Sequence, residues 1–429
     1  MAYDVLADLE ARNLIAQTTD INELRAALTG GSITFYCGFD PTAPALHLGN
    51  LAQIVTMRRL QNAGHRPLAL VGGATGLIGD PSGKTAERSL NSTDIVNEWV
   101  ERISSSMAKF FETKGKNAVV FVNNFDWTKN YSAITLLRDI GKHFSVNRML
   151  DRDAVASRLN GTGISYTEFS YVILQSLDYV ELFRLHDCVL QIGGSDQWGN
   201  ITSGCELVRK TEGKTVHALT TPLITKADGT KFGKTESGTV WIDSQLTSPY
   251  AFYQFWLNAD DRDLQTYFNT YSFKSVAEIT EIITKSNAEP HLRIGQRELA
   301  NEITAMVHGE DAATNAASAG AALFGQADLN TINVETLESA LREAGLVEIN
   351  KDDLIDGKLP SISDLFVRSE IVNSKSAARR AVEEGGAYLN NVKITESDAP
   401  IEIDQLIGGQ LLVLRRGKKT VAGVKFLDK

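Results

Sequence analysis

A short apolar strand that runs into two prolines and then a helix limits this chain more than any other stretch. Thr34-Phe35-Tyr36-Cys37-Gly38-Phe39 has the β-branched and aromatic content of a buried strand, and Pro41 and Pro44 keep a helix from starting before them. Leu48, Leu51, Val55 and Leu60 then follow helical spacing. A strand end therefore feeds a helix N-terminus, where unpaired N–H groups and the positive end of the helix dipole suit a phosphate. His47 stands at that mouth, and Gly49 lacks the side chain that would hold a flat ring away from the backbone.

The same rhythm repeats downstream. Pro67-Leu68-Ala69-Leu70-Val71 is a continuous apolar run of buried-strand type, so strand, helix and strand predict a right-handed βαβ unit in a parallel sheet. The glycine-rich run after it, Gly72 to Thr85, imitates two phosphate motifs and satisfies neither. A P-loop ending at Gly83-Lys84-Thr85 needs glycine where Ile78 stands, and Gly73, Gly76 and Gly79 are spaced by threes, unlike a dinucleotide fingerprint. Asp80 lies at the carboxyl side of the strand, where ligands collect in open parallel sheets, and a carboxylate there can hold an ammonium group. Val189-Leu190-Gln191-Ile192-Gly193-Gly194-Ser195-Asp196-Gln197 repeats the strand-to-helix geometry in the second half of the sheet, placing two strand ends around one crevice.

Between these lies a helix beginning near Thr167, on which Tyr171, Gln175 and Asp178 share one face while Phe169, Val172, Ile173 and Val180 cover the others. A polar stripe on an otherwise apolar helix is expected to face a pocket, because embedded amides and carboxylates need partners. Lys231-Phe232-Gly233-Lys234-Thr235, with Gly229 before and Gly238 after, reads as a mobile basic loop with few apolar anchors, able to close over a triphosphate.

Composition narrows the classes. With 429 residues, 43% hydrophobic and 22% charged, the chain is a globular protein long enough for two or three domains. No apolar run can span a bilayer, and Asp4, Asp8 and Glu10 interrupt any signal-like start, so no membrane and a cytoplasmic address are expected. Cys37, Cys188 and Cys205 suit reduced thiols and lack metal-site spacing; no protein-only metal site is expected. A net charge of −10 argues against broad coating of nucleic acid. From residue 361 onward, eleven Lys and Arg face nine Asp and Glu, so an acidic body carries a mildly basic tail. There Ser374 caps a helix bearing Arg379 and Arg380, Gly385-Gly386 ends it, an Asn390-Asn391 turn joins two short strands, and Arg415-Arg416-Gly417-Lys418-Lys419 forms a basic turn.

His47-Leu48-Gly49-Asn50 resembles the HIGH signature of class I aminoacyl-tRNA synthetases, with Asn50 in place of the usual second histidine, and Lys231 to Thr235 resembles their KMSKS signature. The surroundings are similar to bacterial tyrosyl-tRNA synthetases along nearly the whole chain, and the tail resembles the RNA-binding fold of ribosomal protein S-four type. The resemblance implies an α/β protein: a Rossmann-like parallel-sheet catalytic domain over 1–246, an α-helical tRNA-facing domain over 247–328, an acidic linker over 329–360 that includes a small helical unit, and a small α+β RNA-binding domain over 361–429. It implies that Tyr36 and Asp178 hold the phenol of L-tyrosine, that Asp80, Tyr171 and Gln175 hold its ammonium group, and that Gln197 joins them, supported by Gln191. ATP, with magnesium, is expected at Gly38, Asp40, Thr42, His47, Gly49, Asn50, Gly193, Asp196 and Lys234, with Lys84 and Arg88 near phosphates. Catalysis is expected from His47, Asn50, Lys231, Lys234 and Thr235, and contact with tRNA(Tyr) from Arg379, Arg380, Arg415, Arg416, Lys418 and Lys419. A homodimer is implied, with its face within the helices of 91–159. A small-molecule nucleotidylyltransferase has no use for the basic tail, a non-catalytic RNA-binding protein has none for the lysine loop, and Tyr36 with Asp178 argues against tryptophan as substrate.

Overall fold

The computed structural model describes residues 4–82, 91–159, 161–230, 232–235, 238–417 and 420–428. The chain divides into two compact units, residues 1–243 with 262–284, and 244–261 with 285–429.

The first unit is built on a six-stranded sheet. Its strands are β1 (Gln17–Thr18), β2 (Thr34–Phe39), β3 (Arg66–Val71), β4 (Val120–Asn123), β5 (Cys188–Gly194) and β6 (His217–Thr221), in the spatial order β1-β6-β5-β2-β3-β4. All neighbours are parallel except β1, which covers the β6 edge antiparallel. The chain leaves β2 in one direction toward β3 and β4, and returns on the other side as β5 and β6. The β2/β5 boundary is thus the switch point at which crossovers diverge and a crevice opens at the strands' carboxyl ends. Apolar side chains of both faces bury Phe35, Leu68, Leu190 and Ile192 almost completely. Helix α1 (Leu48–Asn62) follows β2, α2 (Tyr166–His186) precedes β5, and α3 (Trp198–Glu212) follows it. A short pair, β7 (Lys234–Thr235) with β8 (Gly238–Thr239), also belongs to this unit.

The second unit starts with helices α4 (Pro249–Leu257), α5 (Ile294–His308), α6 (Glu310–Leu323) and α7 (Val334–Ala344). Pro249 at the first helical position and Ser248 as cap start α4, and Trp256 is fully buried there. A five-stranded sheet of β9 (Leu346–Asn350), β10 (Ala387–Leu389), β11 (Val392–Lys393), β12 (Leu411–Arg416) and β13 (Thr420–Leu427) follows, in the order β11-β10-β12-β13-β9. Asn390 and Asn391 both take positive φ, 47° and 65°, as the tight turn between β10 and β11 requires. Phe366, Leu412, Leu414 and Val424 form the core under helices α8 (Ile362–Arg368) and α9 (Lys375–Glu383).

Two expected boundaries need correction. The segment 329–360 holds the expected helical unit, α7, but the remainder is not a linker: it contributes β9, which pairs parallel with β13 from Leu346↔Gly423 to Asn350↔Leu427. Within β9, Glu348 and Asn350 face outward while Ile349 is 1% exposed. Residues 262–284 join the first unit instead of the helical region, because Tyr267, Phe268 and Tyr271 are buried in it, with the Tyr271 hydroxyl donating to the Leu48 carbonyl at 2.9 Å.

Candidate active site

One side of the crevice is organised by the start of α1. His47 is the N-cap: its Nδ1 accepts from the Gly49 N–H at 3.0 Å, and the Asn50 Oδ1 accepts from the His47 N–H at 3.0 Å, closing a capping box. The neutral imidazole therefore carries its proton on Nε2, and Asn50 keeps its amide N–H groups as donors. His47 and Gly49 are exposed, as is Thr42 just upstream. Gly38 is exposed in the middle of the central strand, and a Cβ there would meet nothing nearer than Leu70 at 3.8 Å, which leaves the β2 floor open to a ligand. At the end of β5, Gly193 is buried and Asp196 is exposed.

The lysine segment lies on the same side. Gly233, at φ 74°, brings its Cα so close to α1 that an added Cβ would sit 3.5 Å from the Leu48 Cβ, and Phe232 rests on Tyr267 and Tyr271. The expectation of a loop with few apolar anchors is corrected there. The backbone of Lys234 and Thr235 forms the short pair with Gly238 and Thr239, and His47 forms a bridge with Trp241. Lys231, like Lys84 and Arg88, lies outside the described residues.

Behind this floor runs a buried chain of hydrogen bonds. The Tyr171 hydroxyl donates to Asp40 Oδ2 at 2.6 Å, and the Thr75 hydroxyl donates to the other oxygen of the same carboxylate at 2.6 Å. Asn124 Nδ2 donates to Thr75 Oγ1 and to Asp178 Oδ2, each at 3.0 Å, and Trp127 Nε1 donates to Asp178 Oδ1 at 2.9 Å. Gly72 cannot be anything larger, since a Cβ would fall 2.0 Å from Asp40 Oδ1 and 2.2 Å from Thr75 Oγ1. Asp80 accepts from Gln197 Nε2 at 2.7 Å and from the Ser82 N–H at 2.9 Å.

This arrangement gathers carboxyl groups around one buried phenol. Burial, and then the carboxylates of Asp40, Asp80 and Asp178, hold the Tyr171 phenol well above its ordinary pKa. Burial pushes Asp178 up to about 7, against the opposing hydrogen bonds from Asn124 and Trp127. Burial and the nearby Asp178 carboxylate likewise raise the Tyr36 phenol, whose hydroxyl makes no hydrogen bond among the described residues; Gln175 Oε1 and Gln191 Oε1 are buried in the same condition. Tyr36, Asp80, Tyr171, Asp178 and Gln197 lie together through these contacts, and Gln175 stands one turn from Tyr171 on α2. Asn124, Thr75 and Trp127 were not legible in the sequence, since nothing in their spacing tied them to a helix fifty residues away.

A sequence match covers residues 28–325 with the family described as tRNA synthetases class I (W and Y), and residues 346–423 with the tyrosine–tRNA ligase SYY-like C-terminal domain. A tyrosine–tRNA ligase of Acidothermus cellulolyticus is 55% identical over 425 residues, spanning 98% of this chain and 99% of that one. The chain belongs to the tyrosine–tRNA ligase family. Another member, from Streptomyces avermitilis, is 54% identical over 424 residues at the same coverage. Among solved ligases, a C-terminally truncated mitochondrial tyrosyl-tRNA synthetase of Aspergillus nidulans superposes with a TM-score of 0.65 at 28% identity, covering 73% of this chain and 92% of that one. The tail match begins at Leu346, the first residue of β9, in accord with the corrected boundary of the ligase's last module.

In that module Arg379 is exposed and paired with Asp398, Arg380 is exposed, and Arg416 is exposed with a bond to the Ile371 carbonyl at 3.5 Å. Arg415 is corrected: it is buried, its guanidinium 3.9 Å over the Tyr388 ring, bonded to Asn391 Oδ1 at 3.2 Å and the Gly417 carbonyl at 2.9 Å. In a β-strand alternate side chains face opposite sides, so Arg415 and Arg416 cannot share one face. Lys418 and Lys419 lie outside the described residues. A further basic cluster has no signature in the sequence. His143, Arg148, Arg152 and Lys210 line a cavity of about 600 Å³, and Arg152 reaches Asn200, which donates to Gln197 beside Asp80. Among the described residues no group of three His, Cys, Asp or Glu side chains is placed to hold a metal ion, and no helix is long and apolar enough to cross a membrane.

Proposed function

We propose that this chain activates L-tyrosine with ATP to tyrosyl-adenylate and pyrophosphate, and passes the tyrosyl group to the 3′ end of tRNA(Tyr) in the cytoplasm. The observation that carries the choice of amino acid is the Tyr36 hydroxyl, buried without a partner among the described residues, beside the Asp178 carboxylate. A phenol set between them accepts from Tyr36 and donates to Asp178. Phenylalanine would leave the Tyr36 hydroxyl buried without a partner and give Asp178 no donor beyond Asn124 and Trp127. A tyrosyl-tRNA synthetase is itself the standard example of discrimination by this route, at about 10⁵ against phenylalanine, a known value for that enzyme class and not a magnitude worked from these distances.

The remaining roles follow from which atoms are already committed. Because Tyr171 gives its proton to Asp40, its oxygen lone pairs are turned to accept from an ammonium group, together with Asp80 and the Gln175 Oε1. The tyrosine carboxylate is ionised, so its attack on the α-phosphate needs no general base. Positioning and charge stabilisation supply the rate: the His47 Nε2–H and Asn50 amide serve as donors to the triphosphate, and Lys231, Lys234 and Thr235 are the groups that stabilise its charge. Gly38 and Gly193 let the ribose and base approach the sheet, with Asp196 as acceptor for a ribose hydroxyl. Magnesium would come with the triphosphate of ATP. The exposed arginines Arg379, Arg380 and Arg416 and the cavity of Arg148, Arg152 and Lys210 support contact with RNA phosphates.

Residues Ile134, Leu137, Val146 and Tyr166 are 70%, 54%, 59% and 70% exposed within one stretch, which supports burial against a second copy of the chain. Pyrophosphate exchange with each amino acid tests the reading. Exchange is expected with tyrosine alone, and equal exchange with phenylalanine or tryptophan would refute the pocket assignment.

A further inference from the structure

We propose that Phe232 and Tyr271 are positioning residues that hold the backbone before Lys234 in register with the start of α1, so that the lysine and His47 act on the triphosphate as one unit. The inference rests on the reading of Lys234 as a group that acts there. Phe232 stands two residues before Lys234, and its ring lies 5.0 Å from that of Tyr267 and 5.9 Å from that of Tyr271, stacked on the latter at 24°. Tyr271 is fully buried, and its hydroxyl donates at 2.9 Å to the carbonyl of Leu48, the first residue of α1. One side chain therefore touches both halves of the nucleotide site.

The ends of the segment are fixed to the same frame. Asp263 accepts from the Ala227 N–H at 2.9 Å and from the Tyr267 hydroxyl at 3.2 Å, which anchors the chain upstream. Downstream, the Ile242 N–H donates to the Leu46 carbonyl at 2.9 Å, and the Val240 N–H donates to the Gly233 carbonyl at 2.9 Å. The helix Leu264–Tyr271 thus serves as a template on which α1 and the lysine segment both rest. Neither aromatic ring carries charge, so any effect on phosphate chemistry must pass through where Lys234 is held. Positioning errors of about 1 Å can cost about a hundredfold in rate.

The test uses the full-length protein and four variants: Phe232→Ala, Tyr271→Phe, Lys234→Ala, and Phe232→Ala combined with Lys234→Ala. Phe232→Ala is expected to lower kcat for tyrosine-dependent pyrophosphate exchange by about tenfold or more, with the tyrosine Kd from equilibrium dialysis unchanged. Tyr271→Phe keeps the ring and loses one hydrogen bond, so a fall of about fivefold is expected; it carries the test should Phe232→Ala fail to fold. In the Lys234→Ala background, Phe232→Ala should add nothing. Equal losses in both backgrounds, or a parallel loss of tyrosine affinity, would make the two aromatics ordinary core residues and overturn the inference. A large loss from Lys234→Ala with none from either aromatic variant overturns it alone, whereas no loss from Lys234→Ala overturns the underlying reading of the loop.

Discussion

Trp127→Phe isolates the ionisation of Asp178 from the shape of the pocket. The indole N–H donates to Asp178 Oδ1 at 2.9 Å, and it is one of two bonds that oppose the upward push of burial on a carboxyl already at about 7. A hydrogen bond to a charged group is worth about 1.5–3 kcal/mol, and about 1.36 kcal/mol moves a pKa by one unit, so the carboxyl should rise by about one to two units in the variant. The tyrosine phenol donates to Asp178, and the ionised carboxylate is much the stronger acceptor, so efficient activation requires Asp178 to be ionised. In the unaltered protein kcat/KM for tyrosine should therefore fall as pH drops below about 7, and in the variant that fall should begin about one to two units higher. The sign for stability is the reverse of the usual carboxylate: the folded value lies above the unfolded one, about 3.9, so the contribution is full at low pH and is lost as pH rises to about 7. Pyrophosphate exchange at varied tyrosine from about pH 6 to about pH 9 reads the first effect. An acid limb that stays where it was, with the tyrosine site otherwise intact, would refute the claim that Asp178 must be ionised.

Three other outcomes are expected. Asp178→Ala should damage tyrosine activation far more than it changes the KM for ATP, because it also leaves the Trp127 and Asn124 donors buried and unpaired at about 1–3 kcal/mol each; normal activation would rule out the pocket. Arg415→Ala should lower the stability of the second unit by about 2 kcal/mol in a denaturant titration, whereas Arg380→Ala should leave stability alone and reduce the salt dependence of tRNA binding by about one unit of slope. Ile134→Glu should shift the chain toward monomer in sedimentation, and an unchanged mass would remove that face from the assembly.

The central sheet and the convergence of its strand ends were legible because buried parallel strands read as unbroken apolar runs, and their glycine ends are distinctive. Tyr171, Gln175 and Asp178 were legible through helical spacing on α2. What held them was not: Asn124 follows an ordinary strand, and its links to Thr75 and Asp178 exist only after the βαβ units close. Phe232 showed the same limit from the other side, since a lone aromatic between lysines gives no sign of the two tyrosines waiting far downstream. β9 was hidden by composition, because Glu348 and Asn350 alternate with buried Ile349 and make a half-buried strand look like acidic filler. Arg415 was misjudged for want of strand register, which decides which of two adjacent arginines faces in.

The position of β13 has a consequence for how the protein is made. It is the last of its sheet to leave the ribosome, yet it lies between β12 and β9. Until it emerges, β9 has no strand to pair with and the two halves of the sheet cannot join, so the second unit closes only when synthesis has passed Leu427. A nascent chain stalled short of that point would display two unpaired strand edges beside apolar core, the kind of surface that chaperones and proteases engage. A closed second unit therefore reports that translation has run through β13.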